Sequence, residues 1–143
     1  MATERGVFTY EDYAALPDDG RRYEVLDVIL SDLTIVQPDL VYVDPARAGI
    51  ITRRAIEGAP TLAVEIISPS SPRIDRVTKR ELYQQYRVPY YWIVDPDARS
   101  IEAYELAENA YRLVATASGA EPVSLPPFDD LAIVPKSLWP AST

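Results

Sequence analysis

The chain has 143 residues, a net charge of −8, no cysteine and no histidine. That length suits one domain, residues 1–143, and 48% hydrophobic with 25% charged residues is an ordinary globular composition. Disulfides, thiolate or imidazole zinc sites and histidine-based nucleophiles are excluded, so any metal sees oxygen ligands, which favours Mg or Mn.

In chain order, Thr9 to Leu16 reads as a short helix, with Thr9 as N-cap and Pro17-Asp18-Asp19-Gly20 as its stop. Tyr23 to Leu30 is rich in β-formers and reads as a strand, with pairing resumed at Leu33 to Val36. Leu40 to Val43 is a short strand opening after Pro38-Asp39, and Ala46 to Gly58 a helical turn and loop. Leu62 to Ile67 is almost continuously apolar, the pattern of a buried central strand, yet it holds Glu65. Ser71-Pro72 suits the start of a helix that runs to about Tyr86.

Tyr90 to Val94 is a second buried strand, followed by a turn at Asp95-Pro96-Asp97-Ala98. Ser100 to Leu106 and Tyr111 to Ala115 form a hairpin. A short strand near Leu131 to Val134 and a last turn at Lys136 to Trp139 complete the chain. Strands, a helix and further strands make the fold class α/β with a mixed sheet. No stretch approaches the roughly 20 apolar residues of a membrane span. The polar N-terminus is unlike a secretory signal, so the expected location is cytoplasmic.

Charge is unevenly distributed. Residues 46 to 87 hold eight basic side chains against four acidic ones, so this window is +4 and the rest of the chain −12. A polyanion can dock on such a window while the remaining surface repels it, although Arg-rich helices are also common as solvated faces.

Three residues carry the candidate chemistry. Glu65 inside an apolar strand calls for a partner or a cation, or else for a place on the polar side of a sheet edge. Asp39 after a proline has an ordinary role as a turn cap, and Lys79 an ordinary ion pair with Asp75 four residues earlier. Together, two carboxylates on adjacent strands and an amine on the following helix suit a divalent-metal site that hydrolyses a phosphodiester.

The segments PDLVYV, VEIISPSSPRIDRVTKRELYQQYRVPYYWIVDP and IEAYEL resemble the Uma-two family of restriction-endonuclease-like proteins, within the PD-(D/E)XK nuclease superfamily. YEDYAALPDDGRRYEVLD and FDDLAIVPKSLW resemble that family's two ends. The resemblance implies a restriction-endonuclease-like mixed β-sheet with flanking helices, Mg-dependent cleavage of DNA, and a homodimer. It implies Asp39 and Glu65 as metal ligands, Glu24 as a further ligand, and Lys79 as the amine assisting the nucleophile. Arg73, Arg76 and Arg80 are candidates for contacts with DNA phosphates.

The chain departs from the pattern twice. The superfamily lysine normally stands two residues after the second acid, where this chain has Ile67, and Lys79 matches a family lysine on the next helix. RRYEV also runs directly into LDVILSDLTIVQPDL, as though the first core helix and a strand were missing, which would expose apolar surface. A catalytically inactive binding or oligomerisation module on the same fold is therefore the alternative function.

Overall fold

The computed structural model describes residues 27–69 and 73–139. The helix expected at Thr9 to Leu16, the start of the strand expected from Tyr23, the residue Glu24 and the Ser71-Pro72 helix start lie outside the described residues.

Two mixed sheets form the core. Strands β1 (Val28–Ser31), β2 (Thr34–Val36) and β4 (Ile56–Glu57) make a three-stranded sheet in the order β2-β1-β4. A five-stranded sheet has the order β3-β5-β6-β7-β8, from β3 (Leu40–Tyr42), β5 (Leu62–Ile66), β6 (Tyr90–Asp95), β7 (Ser100–Ala107) and β8 (Ala110–Ser118). β5 lies parallel to β6 and antiparallel to β3. Helix α1 (Arg73–Gln85) makes the crossover between the parallel pair, as parallel strands require.

The expected strands recur with small shifts at their ends. Three differences have physical reasons. The loop expected over Ala46 to Gly58 contains a 3-10 helix at Pro45–Ile50 and then β4, whose two residues are too short to leave a pattern. The hairpin runs on to Ser118, beyond the last residue expected in it. The strand expected at Leu131 to Val134 is a single bridge between Val123 and Ile133. Prolines at 122, 126, 127 and 135 leave that region too few N–H donors for a ladder.

Each face of the large sheet buries its own cluster. Beneath α1 lie Ala63, Tyr83, Val88, Tyr91 and Tyr111, joined by Val28, Val36 and Ile56 of the small sheet. On the opposite face, Leu62, Val64, Trp92, Ile101, Ala103 and Leu125 pack with partly buried Phe128 and Trp139. The small sheet thus packs against one face and the C-terminal segment against the other. A cavity of about 380 Å³ remains on the second side, between Leu40, Val64, Ile66, Trp92, Leu138 and Trp139.

The end of α1 fixes the register of the site. Val88 N–H donates to the Tyr83 carbonyl at 2.9 Å and Arg87 N–H to that of Gln84 at 3.2 Å. Arg87 sits at φ 63°, so this is a Schellman ending with arginine at the position glycine usually fills. The accompanying apolar contact is between Val88 and Tyr83, both fully buried. Tyr83 is therefore held by backbone and packing together.

Candidate active site

Glu65 alternates with Val64 and Ile66 on β5, so its side chain shares a face with Ala63 and turns under α1. Only 6% of the residue is exposed. Its carboxylate is met by two side chains of the helix. The Tyr83 hydroxyl donates to Oε2 at 2.5 Å, and Lys79 Nζ lies 3.3 Å from Oε1. Lys79 and Tyr83 are four residues apart, which puts them on one helical face. Lys79 Nζ also donates to the Gln37 carbonyl at 3.1 Å. Lys79 is thus engaged with Glu65 on the sheet, and the side chain of Asp75, its ordinary local partner, lies outside the described residues.

Asp39 immediately precedes β3. Leu40 pairs with Val64, and that register carried one step further sets Asp39 beside Glu65. The Asp39 N–H donates to the Val64 carbonyl at 3.2 Å, while its Oδ2 accepts the Ile66 N–H at 2.7 Å. Asp39 therefore does act as a backbone cap, but across the sheet and not within its own turn. Its Oδ1 makes no hydrogen bond with described residues.

Burial pushes the Glu65 carboxyl above its ordinary value of 4.5. The Tyr83 hydrogen bond and the Lys79 charge pull it down, and the nearby Asp39 charge pushes it up again. The Tyr83 hydroxyl is driven upward by burial and by Glu65, so it stays protonated and acts as a donor.

Two clefts flank the Lys79–Glu65 pair. One, of about 150 Å³, is lined by Glu65, Arg73, Arg76, Arg80, Tyr91 and Ile93. Ile67 also lines it. The other, of about 570 Å³, is lined by Gln37, Asp39, Thr78, Lys79 and Leu82 among others. All three candidate arginines therefore face the Glu65 side. The Arg80 guanidinium lies 4.6 Å from the centre of the Tyr104 ring, and Arg76 Nε is buried with no hydrogen-bond partner.

The donor set suits a small hard cation. Mg²⁺ keeps several waters and uses one or two carboxylates, and Asp39 and Glu65 supply two. Glu65 Oε1 has Lys79 as its partner, and Asp39 Oδ1 makes no hydrogen bond with described residues. Among the described residues no group of three acidic side chains that could hold a metal comes together, and Glu24 lies outside the described residues.

Asp39, Glu65 and Lys79 are thus drawn into one region by the sheet and by α1, with Arg73, Arg76 and Arg80 around it. Sequence reasoning passed over Tyr83, treating it as a core position of the helix. The available signal was its spacing of four from Lys79.

No curated protein sequence matches the chain. A crystal structure described as a putative nuclease belonging to DUF820, from Anabaena variabilis, matches with a TM-score of 0.60 and 19% identity. The match covers 80% of this chain and 64% of that one, so the chain spans under two thirds of its neighbour's length. The likeness shows the restriction-endonuclease-like fold. The profile of the Uma2 family, described as "Putative restriction endonuclease", matches residues 13–135, and the chain belongs to that family.

Proposed function

We propose that the chain is a metal-dependent endonuclease hydrolysing DNA phosphodiester bonds. The observation that carries the reading is the meeting of Glu65 with Lys79 at 3.3 Å, beside Asp39 on the neighbouring strand. In this reading Asp39 and Glu65 hold Mg²⁺ or Mn²⁺, and Glu24 is a candidate for a further ligand. When bound, the ion supplies positive charge against the phosphate and acidifies water.

The chain's own groups supply the remainder. Lys79, anchored by the Gln37 carbonyl, holds a positive charge beside the Glu65 carboxylate and neutralises charge building on the phosphorus oxygens. Arg73, Arg76 and Arg80 offer guanidinium groups along one cleft, where they bind backbone phosphates without reading sequence. The family resemblance adds that the enzyme works on DNA as a homodimer. No helix among the described residues is long and apolar enough to cross a membrane.

A second reading is a binding or oligomerisation module that has lost catalysis. It is favoured by the absence of a third acid beside Asp39 and Glu65 among the described residues. Cleavage of DNA with Mg²⁺ or Mn²⁺, compared with Asp39→Ala and Glu65→Ala, separates the two. Cleavage lost in both variants supports the endonuclease, and a folded, metal-supplied wild type that cuts no DNA overturns it.

A further inference from the structure

The Glu65 carboxylate is asymmetric in its surroundings. Oε2 points at the hydroxyl of Tyr83, a residue with no exposed surface, whereas Oε1 faces Lys79, whose side chain is 25% exposed. Tyr83 cannot drift away from that contact. Its backbone carbonyl takes the Val88 N–H, and its ring packs 5.6 Å from that of Tyr91. One oxygen of Glu65 is thereby held by a fully buried partner and the other by a partly exposed one.

We propose that Tyr83 is a positioning residue that commits Glu65 to one-oxygen coordination and so selects Mg²⁺ over Ca²⁺. The inference rests on the reading of Glu65 as a metal ligand. Its physical basis is the difference between the two ions. Mg²⁺ demands a near-octahedral shell and takes carboxylates through single oxygens, while Ca²⁺ accepts more ligands and readily uses both oxygens of one carboxylate. A hydroxyl that donates to Oε2 from the buried side competes with an ion for the second oxygen. Lys79 at Oε1 is the partner on the accessible side, where an ion can share or replace it.

Tyr83→Phe keeps the ring, its packing and the helix ending, and deletes only the hydroxyl. The test is Mn²⁺ loading of the protein without DNA, followed by electron paramagnetic resonance with Mg²⁺ and Ca²⁺ as competitors. In the wild type Mg²⁺ is expected to displace Mn²⁺ at lower concentration than Ca²⁺. In Tyr83→Phe the ratio of the two competition constants should move towards Ca²⁺ by about tenfold, because Glu65 can then offer both oxygens. A tyrosine that only packs would leave that ratio unchanged.

An unchanged ratio in a folded Tyr83→Phe overturns the role of Tyr83 and leaves the metal site standing. A wild type displaced equally well by Ca²⁺ overturns it too, whether or not the variant folds. A wild type that takes up no Mn²⁺ overturns the metal site itself, and this role with it.

Discussion

The Asp39 carboxylate accepts the Ile66 N–H at 2.7 Å, which ties the first acid of the site to the backbone directly after the second. One oxygen thus serves the sheet while the other has no partner among the described residues. Asp39→Asn keeps an oxygen for that N–H and should unfold close to wild type, yet lose at least about 100-fold in DNA cleavage. Asp39→Ala should lose cleavage equally and also about 0.5–1 kcal/mol of stability, the bond being at an exposed position. Urea unfolding and a plasmid-nicking assay on both variants check the pair of outcomes.

Lys79 stands at 3.3 Å from a carboxylate that is almost out of water. Lys79→Met removes the compensating charge but leaves Tyr83 in place. The cost should be about 1–2 kcal/mol, below the figure for a fully buried pair because the lysine is partly solvated. Cleavage should fall about 100-fold from loss of charge near the phosphate. Denaturant midpoints and single-turnover rates measure the two effects separately.

The pH response has a definite sign. Glu65 has its carboxyl raised above 4.5 in the folded state, chiefly by burial. A group raised in this way favours folding while protonated, so its contribution is present below the unfolded value. That contribution is lost as pH rises through the higher folded value. Thermal unfolding of the wild type should therefore lose stability as pH rises upward from 4.5, a loss that Glu65→Gln lacks. Cleavage, which needs the ionised form, should rise over the same interval.

Arg76 and Arg80 line the cleft on the Glu65 side. If each neutralises one phosphate, replacing either by alanine should flatten the plot of log binding constant against log salt by about 0.9. Arg80→Ala should also cost about 0.5–1 kcal/mol of folding stability through its lost contact with the Tyr104 ring. Fluorescence anisotropy with labelled duplex at several salt concentrations tests the slopes.

Arg87 occupies a left-handed conformation, with φ 63°, at the end of α1. Glycine has no Cβ to clash there, so Arg87→Gly should raise stability by about 0.5–1 kcal/mol without changing cleavage. The single bond it removes, to the exposed Asn109 at 3.2 Å, contributes little. A shift in the thermal midpoint with an unaltered rate is the expected result.

The sequence makes parts of this arrangement legible for identifiable reasons. Glu65 stands out because an acid in a run of Leu, Ala, Val and Ile has no cheap place to go. The βαβ crossover is legible from two apolar runs with a helix former-rich segment between them. Lys79 taken alone reads more readily as the partner of Asp75, and becomes legible only beside Asp39 and Glu65 and through the family resemblance. Tyr83 is hidden because tyrosine at helical spacing reads as core, which it also is. The small sheet is hidden because β4 has two residues and no period. The position of Asp39 depends on which strand pairs with which, and no local pattern contains that information.

Lys79 and Tyr83 reach Glu65 from successive turns of one helix, and that makes the chain unforgiving of changes in length. Each residue of an α-helix advances the face by about 100°, so a single insertion between Lys79 and Tyr83 swings one contact away from the carboxylate while keeping the other. Substitutions along α1 can be absorbed one at a time, but an insertion or deletion inside that turn separates the amine from the hydroxyl. Length variation among active relatives should therefore fall elsewhere, as in the β7–β8 turn at Glu108 and Asn109, with the interval from Lys79 to Tyr83 staying at four residues.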